Sequence, residues 1–209
     1  MIIPYNQSKE LIKEADILLF RAGRFPTIGW WISKYTHSYY SHAALAHWNG
    51  DELDAVEFRE FVGGRIYPLE EYIKDGKRID VFRCVDTAIY PCIEIIDNTY
   101  WLSYKEKRFD ADVATKITNT AIDLVDKIGK YSYWTIWQMF KSYIPFVRLG
   151  RKIAKNGEPD TKQFVCSTLV TYVYRKHFID PVPFLCDSMT APGDLARSGL
   201  FSYLFSINS

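Results

Sequence analysis

The stretch Ser41–Val62, SHAALAHWNGDELDAVEFREFV, contains two runs that are typical of β-strands. The runs SHAALAHW and LDAVEFREFV flank Asn49-Gly50, a dipeptide that is among the strongest short-range signals for a β-hairpin. The sequence therefore predicts an antiparallel pair of strands that is closed by a tight turn at Asn49-Gly50.

The register of this hairpin places a histidine beside a carboxylate. A two-residue turn at Asn49-Gly50 pairs Trp48 with Asp51 and sets His42 directly opposite Glu57. A register shifted by two residues makes His42 and Glu57 diagonal neighbours on the same face. A three-residue loop with a bulge would separate them. Two of these three geometries bring the imidazole to the carboxylate.

Residues on either side of the hairpin predict further elements of an antiparallel sheet. Ile17–Phe20 is a short apolar run typical of a buried strand, with helical spacing before it at Ser8–Glu14 and after it at Pro26–His37. Gly63-Gly64 predicts a second turn. The elements that follow are a strand in RIYPL (65–69), a short helix in PLEEYIKDG (68–76) and a fourth strand in RIDVFRCV (78–85).

The second half of the chain predicts mainly helices. Ile89–Asp110 mixes strand and helix preferences, so no element is assigned to it. Apolar residues recur at helical spacing from Val113 to Ile128 and end at Gly129, a residue typical of a helix C-terminus. Another helix is predicted from about Tyr133 to Tyr143, and a basic loop containing glycine and proline from Pro145 to Thr161.

Composition limits the class of protein. The chain has 209 residues, the length of one ordinary domain, so we expect a single domain over residues 1–209. Hydrophobic residues make up 48% and charged residues 24%, which excludes a disordered or fibrous chain. A formal net charge of +1, without a long basic run, argues against nucleic acid as a partner.

The sequence also predicts the compartment of the protein and the absence of a metal or other cofactor. The first residues, MIIPYNQSKELIKEAD, lack the basic and apolar segments of a signal peptide, and no apolar run is long enough to cross a bilayer. We therefore expect a cytoplasmic protein without stable membrane insertion, although export by another route stays open. No metal and no other cofactor is expected, because the cysteines form no CxxC pair and no ligand-like spacing with histidines.

Cys166 can supply a nucleophile to the pair formed by His42 and Glu57. It lies near the start of an amphipathic helix in QFVCSTLVTYVYRKH (163–177). A carboxylate beside a histidine fixes the ring and stabilises the imidazolium, which is what a general base needs. A thiol at a helix N-terminus near a protonated histidine has a lowered pKa, and its thiolate is the attacking species. Free N–H groups of the first helical turn can stabilise an oxyanion.

Each of these residue types also has an ordinary structural interpretation. A cysteine in an apolar helix usually fills a core, and a histidine on a strand is usually a satisfied structural residue. A His–Glu pair on a sheet is often a surface pair that contributes little to stability. The structural interpretation is assigned to the remaining cysteines and histidines, which are Cys84, Cys92, Cys186, His37, His47 and His177.

The order of the three residues along the chain resembles that of a known enzyme family. The chain has a histidine, then an acid one strand later, and then a distant cysteine that opens a helix. This order is the reverse of the order in papain. It resembles that of the circularly permuted papain-like cysteine hydrolases of the NlpC superfamily. Within it, the chain resembles the YiiX/YaeF/YebB-like group. The matching pieces are ADILLFRAG (15–23), ISKYTHSYYSHAAL (32–45), DAVEF (54–58), IYPLEEY (66–72), DVFRC (80–84), IGKYSY (128–133), FVCSTLV (164–170) and TAPGDLARSGLF (190–201).

The resemblance implies both a fold and a set of roles. The implied fold is α+β and of the permuted papain-like type, with an antiparallel sheet packed against helices and the nucleophile at a helix N-terminus. Cys166 is implied as the nucleophile, His42 as general base and then acid, and Glu57 as the residue that orients the imidazole.

Three tyrosines are implied as neighbours of the triad. Either Tyr131 or Tyr133 would help to bind the substrate or donate a hydrogen bond to the oxyanion. Tyr40, which precedes Ser41-His42, would pack at the site.

The reaction that the resemblance implies is acyl transfer through a thioester. The first hypothesis is a cysteine amidase or peptidase that acts on a peptide-like or peptidoglycan-derived amide. The second is a lipid acyltransferase or thioesterase, for which the basic segment Arg148–Lys155 would suit an acyl lipid with an anionic head group. A non-catalytic binding module and a zinc site formed by Cys166, His42 and Glu57 are the remaining alternatives.

Overall fold

The fold is organised around a large β-sheet. The computed structural model describes residues 1–23, 27–128, 164–183 and 185–208. Within these ranges the strands are β1 (Ile2–Pro4), β2 (Ile17–Arg21), β3 (Tyr40–Asn49), β4 (Glu52–Arg59), β5 (Gly63–Pro68), β6 (Ile79–Cys84), β7 (Thr87–Ile96), β8 (Thr99–Arg108) and β9 (Phe201–Asn208).

Seven of these strands form one mixed sheet, in the order β1-β9-β6-β2-β3-β4-β5. The described neighbours are antiparallel except for β1 and β9, which run parallel with Ile2 opposite Ser206. The prediction of an antiparallel sheet is therefore wrong at this edge, because the three-residue β1 pairs with the last strand of the chain. A large mixed sheet packed with helices is consistent with the predicted α+β class.

Six helices are described within these ranges. They are α1 (Tyr5–Ser8), α2 (Ile28–Thr36), α3 (Leu69–Lys74), α4 (Ala111–Lys127), α5 (Cys166–Lys176) and α6 (Pro192–Arg197), with 3₁₀ turns at Lys9–Leu11 and Asp187–Met189. No helix within the described ranges is long and apolar enough to cross a membrane.

The helix predicted at Ser8–Glu14 is wrong in its bounds. Helix α1 and the 3₁₀ turn that follows it end at Leu11, and Ile12 has an extended backbone. Glu14 then accepts hydrogen bonds from the backbone N–H of Trp48 at 3.0 Å and from the ring of His47 at 2.8 Å. Glu14 lies in a turn in which Asp16 N–H donates to the carbonyl oxygen of Lys13 at 3.1 Å, and this turn replaces a further turn of helix.

The helices predicted within 26–37 and from Val113 to Ile128 are confirmed. Helix α2 begins after Thr27, whose hydroxyl accepts a hydrogen bond from Trp30 N–H, and ends at His37 in a left-handed conformation. Helix α4 begins after Asp110, whose carboxylate caps the N–H of Val113 at 3.0 Å. The predicted stop at Gly129, the predicted helix at 133–143 and the predicted loop at 145–161 lie outside the described residues.

The β3–β4 hairpin forms as predicted, but its turn lies one residue later. Asn49 pairs with Glu52, and Gly50 with φ +62° starts the turn, a conformation that glycine adopts without strain. The pairing is thereby shifted by two residues from a turn centred on Asn49-Gly50. Because this shift is even, His42 and Glu57 stay on the same face as diagonal neighbours.

Gly63-Gly64 does not form the predicted second turn. Both glycines belong to β5, and the turn between β4 and β5 lies at residues 60–62. A Cβ atom on Gly64 would lie 2.7 Å from the carbonyl oxygen of Val125 in α4. Glycine therefore permits the close approach of β5 to this helix.

The unassigned stretch from 89 to 110 forms most of a separate hairpin. Strands β7 and β8 pair with each other over ten residues around Asp97-Asn98. Both turn residues have positive φ values, 49° and 60°, as in the tight turns that suit twisted hairpins. The described apolar side chains near the turn are exposed, and they include Ile95, Ile96, Tyr100, Trp101 and Leu102.

Alternate residues of the central strands divide between two hydrophobic clusters, one on each face of the sheet. One cluster combines strand residues with the apolar sides of α4 and α5, and includes Leu19, Ala43, Ile117, Leu169 and Val173. The other combines strand residues with α3 and the N-terminal segment, and includes Leu18, Ala44, Leu69, Tyr72 and Ile12.

Helix α5 is also fixed near its C-terminal end. The hydroxyl of Tyr174, a fully buried residue, donates a hydrogen bond to the carbonyl oxygen of Ala15 at 2.8 Å. Ala15 directly precedes the residues that lead into β2. The helix that carries Cys166 is thus attached to the same strand that pairs with β3.

Candidate active site

His42 lies in the first half of β3 and is buried. Its ring contacts the ring of Phe20 edge to face, with the centroids 5.1 Å apart. Phe20 is the partner of His42 in the ladder between β2 and β3, next to an irregularity at Phe20/Arg21. The surrounding strands therefore fix the position of the imidazole.

Glu57 lies on β4 with its side chain fully buried, and both of its carboxylate oxygens are bound. One oxygen, Oε2, contacts Nε2 of His42. The other, Oε1, accepts a hydrogen bond from Nε of Arg65 at 2.8 Å and another from the hydroxyl of Tyr72. The prediction that the register brings His42 to Glu57 is confirmed by this contact.

Cys166 is the first residue of α5. Val165 before it is extended, and the first hydrogen bond of the helix is donated by Leu169 N–H to Val165 O at 3.1 Å. The N–H groups of residues 166–168 therefore have no partner within the helix. Ser167 and Thr168 donate their hydroxyl hydrogens to carbonyl oxygens near the Asp187–Met189 turn, which holds this end of the helix in place.

Cys166 acts electrostatically on the imidazole of His42. Burial lowers the pKa of His42, but the charges of Glu57 and Cys166 and hydrogen bonds with both outweigh burial and raise it to about 9. Because Nε2 faces Glu57, Nδ1 is the ring nitrogen that remains for the thiol. The structure thus brings Cys166, His42 and Glu57 together, with the imidazole bound by Glu57 and influenced by Cys166.

Glu57 is the anionic member of this group of three residues. Burial opposes its ionisation, but the positive charge of His42, hydrogen bonds from His42 and Tyr72, and the charge of Arg65 lower the pKa of Glu57 to about 2. The pair is therefore a carboxylate and an imidazolium at neutral pH. An imidazolium in this position can stabilise a thiolate and donate a proton to a leaving group.

The hydroxyl of Tyr40 does not reach this pair. It donates to Oδ2 of Asp80 at 2.7 Å, and its ring meets the ring of Phe82 edge to face. Tyr40 thus belongs to a second polar cluster, although it lies two residues before His42. The other two tyrosines expected at the site, Tyr131 and Tyr133, lie outside the described residues.

Arg65 and Tyr72 are members of the site that the sequence reasoning missed. Arg65 pairs with Glu57 across the ladder between β4 and β5, and Tyr72 comes from α3. The signal for Arg65 was the register of this second hairpin, which the expected turn at Gly63-Gly64 obscured. Tyr72 had no local signal, because it reaches Glu57 through the packing of α3 on the sheet.

Cys84, Cys186 and His177 make contacts of the ordinary structural kind. Burial and the charge of Asp86 raise the pKa of Cys84 to about 12. Cys186 is also buried. His177 shares a hydrogen bond with the hydroxyl of Thr120 at 2.8 Å. Within the described ranges, no group of three His, Cys, Asp or Glu side chains is arranged to hold a metal ion.

A cavity of about 390 Å³ lies away from these residues. Its lining includes Ile12, Trp48, Arg83 and Phe109. Trp48 is six residues beyond His42 on β3, a distance of about 20 Å along an extended strand. This cavity is therefore not the space around the thiol.

Comparison with known proteins adds a structural likeness. No protein-family model and no curated protein matches the sequence. Among solved structures, the chain is similar to the metalloprotein yiiX from Escherichia coli O157:H7, with 14% sequence identity and a TM-score of 0.47. The match covers 92% of this chain and 96% of that chain. At this level the likeness carries no argument about the site, and membership of the permuted papain-like hydrolases stays a prediction.

Proposed function

We propose that this protein is a cysteine hydrolase of the amidase or peptidase type, with a permuted papain-like arrangement of its catalytic residues. One observation carries the proposal: Nε2 of His42 is bound by the buried carboxylate of Glu57, and Cys166, at the first position of a helix, lies near enough to raise the pKa of the imidazole. Nucleophilic catalysis by cysteine needs a thiolate, a proton donor and an orienting group in this order.

The reaction begins with the thiolate of Cys166 and the imidazolium of His42. The sulfur attacks the carbonyl carbon of an amide, and free N–H groups of the first turn of α5 lie where they can stabilise the oxyanion. His42 gives its proton to the leaving amine as the C–N bond breaks, which leaves a thioester. His42 then takes a proton from water, whose oxygen attacks the thioester carbonyl, and the released sulfur restores the ion pair.

The substrate class we propose is a peptide-like or peptidoglycan-derived amide. The same ion pair would also transfer an acyl group from a lipid ester to water or to an acceptor amine or alcohol. A panel of small peptide amides and acyl esters separates these two possibilities by rate. Turnover of long-chain acyl esters without turnover of any peptide amide would replace the amidase proposal with a lipid acyltransferase or thioesterase.

The first experiment is site-resolved alkylation with iodoacetamide between pH 4 and 10, read by peptide mass spectrometry. At pH 6 we expect Cys166 to react about 100-fold faster than an ordinary thiol, because the imidazolium stabilises its thiolate. Cys84 serves as the internal control, since its buried thiol keeps its proton at this pH. The variant His42→Ala should remove most of the excess reactivity of Cys166.

Two results would count against the proposal. If Cys166 is inert in the wild-type protein, or reacts equally in His42→Ala, the residues share only a location and the binding-module hypothesis takes the lead. If Cys166→Ala retains full turnover of a substrate found in the panel, Cys166 is not the nucleophile.

A further inference from the structure

Glu57 is bound by more groups than the contact with His42 requires. Its Oε2 faces the imidazole, while Oε1 accepts from both Arg65 and Tyr72. Arg65 Nη2 also donates to the hydroxyl oxygen of Tyr72 at 2.7 Å. Arg65, Tyr72 and Glu57 thus form a closed ring of three hydrogen bonds on the side of the carboxylate away from the histidine.

We propose that Arg65 and Tyr72 are positioning residues of the proposed hydrolase, which hold Glu57 in one orientation so that Glu57 fixes the ring of His42. This inference rests on the proposed function and extends it by two residues. Neither residue touches the reacting atoms, so each acts through Glu57.

The hydrogen-bond accounting supports this assignment. The Tyr72 hydroxyl has one hydrogen, which it gives to Glu57, and it accepts from Arg65. With Oε1 bound from two directions, rotation of the carboxylate would break two hydrogen bonds at once. Oε2 is therefore kept for the imidazole, which holds the ring of His42 in one orientation.

Packing holds both donors in place. The ring of Tyr72 lies edge to face against Phe20 and Tyr67, with centroids 4.7 and 5.1 Å away. The guanidinium of Arg65 lies 4.0 Å from the ring centroid of Tyr67. Because Phe20 also contacts His42, the same aromatic group supports both the imidazole and the residue that orients its partner.

The charges around His42 determine in which direction the pKa of His42 changes when Arg65 is replaced. Glu57 from β4 and Cys166 from α5 favour the imidazolium, whereas Arg65 from β5 offsets part of the negative charge of Glu57. Tyr72 stays a neutral donor, because burial and Glu57 raise its pKa. Removing the charge of Arg65 should therefore raise the pKa of His42.

A second cluster of similar composition provides matched controls. Arg21 binds the buried carboxylate of Asp80 through Nε and Nη2 at 3.1 and 3.2 Å, and the Tyr203 hydroxyl lies 2.9 Å from Ser206 Oγ in the same cluster. None of the contacts described for this cluster involves His42. Arg21→Gln and Tyr203→Phe thus repeat the chemical changes of Arg65→Gln and Tyr72→Phe elsewhere in the sheet.

The experiment is an NMR titration of protein labelled with ¹⁵N-histidine, with the His42 signals assigned by their loss in His42→Ala. We expect Arg65→Gln to raise the midpoint of His42 by about 0.5–1 pH unit, and Arg65→Lys to return it towards the wild-type value. Arg21→Gln should leave it unchanged. An unchanged midpoint in Arg65→Gln, or an equal change in Arg21→Gln, would overturn the inference.

Alkylation of Cys166 tests whether Tyr72 is a positioning residue. Tyr72→Phe keeps the packed ring and removes one hydrogen bond, so we expect the rate at pH 7 to fall about 3- to 10-fold, with no change in Tyr203→Phe. Equal rates in wild type and Tyr72→Phe would remove Tyr72 from the assignment. Failure of the proposed function is read separately, as an inert Cys166 in the wild-type protein.

Discussion

Two buried carboxylates in the sheet are bound by similar sets of side chains. Glu57 accepts from Arg65 and Tyr72, and Asp80 accepts from Arg21 and Tyr40. Their remaining partners differ. Glu57 contacts the imidazole of His42, whereas Asp80 accepts from Ser206 Oγ at 2.6 Å.

The difference lies in where each cluster ends. The Asp80 cluster connects β2, β3, β6 and β9, and its described contacts lead to hydroxyl and guanidinium groups. The Glu57 cluster connects β3, β4, β5 and α3, and continues through His42 to the thiol of Cys166. A carboxylate with an arginine and a tyrosine is thus a structural unit that holds strands together, and a histidine turns it into a unit that can serve chemistry.

The largest expected effect is on the turnover rate, and it distinguishes Glu57 from Asp80. Glu57→Gln should lower turnover by about 10²–10⁴-fold, because an amide cannot hold the imidazolium as a carboxylate does. Asp80→Asn should stay within about threefold of the wild-type rate. Steady-state kinetics on a substrate from the amide panel, at a temperature where both variants are folded, measure this ratio. Equal losses would mean that both clusters act only on stability.

The pH dependence of stability should single out the Glu57 cluster. The pKa of His42 is raised in the folded protein to about 9, so its contribution is complete below the unfolded pKa of about 6.5 and is lost as pH rises through 9. We expect a loss on the order of 2–3 kcal/mol between pH 6 and 9.5. Urea unfolding at both pH values measures it, and His42→Ala should flatten the difference.

The contribution of the ion pair to stability is also lost at acid pH. The pKa of Glu57 is lowered to about 2, so its contribution is present above its unfolded value and is lost as pH falls through 2. This is the same ion pair seen from its other partner, so the two contributions are not added. A wild-type protein and a His42→Ala variant with identical pH profiles would contradict the assignment.

Asp80→Asn should reveal a mainly structural role for the second cluster. An amide at this position leaves a donor facing the hydroxyl and guanidinium donors of its neighbours, which should lower the free energy of unfolding by about 2 kcal/mol. Urea unfolding checks this value. Asp112→Asn, in the exposed pair with Lys116, is the matched control and should behave like wild type.

The smallest effect concerns the strand that carries Arg65. Gly64→Ala places a Cβ against the backbone of Val125, so we expect a loss of about 1–2 kcal/mol in the free energy of unfolding. Gly199→Ala, where no atom lies within 4 Å of the added Cβ, is the control. Cys166 alkylation should slow in Gly64→Ala, because a displaced β5 moves Arg65. Unchanged stability would show that β5 and α4 adjust freely.

The sequence was informative where the determining interactions are local. The β3–β4 hairpin follows from strand periodicity and a glycine-containing turn, and an even error in register leaves His42 and Glu57 on one face. Helix α4 follows from its apolar spacing. The position of Cys166 at the start of α5 is likewise a local property of its sequence.

The remainder depends on contacts between distant segments. The helix predicted at Ser8–Glu14 ends early, at Leu11, because hydrogen bonds from β3 hold Glu14 in the turn that leads into β2. The glycines at 63 and 64 resemble a turn, yet Gly64 serves the close packing of β5 on α4. Tyr72 reaches Glu57 only after α3 has packed on the sheet, and no periodicity in the sequence encodes that contact.

The hydrogen bond between Tyr174 and Ala15 makes α5 behave as a lever. Cys166 lies eight residues from Tyr174, a separation of about 12 Å along the helix axis. A tilt of about 5° at the fixed end would therefore carry the sulfur about 1 Å sideways, a displacement large enough to slow a positioned reaction about 100-fold. The aim of the thiol is thus set in part at the far end of its helix, by a phenol hydroxyl that takes no part in the chemistry.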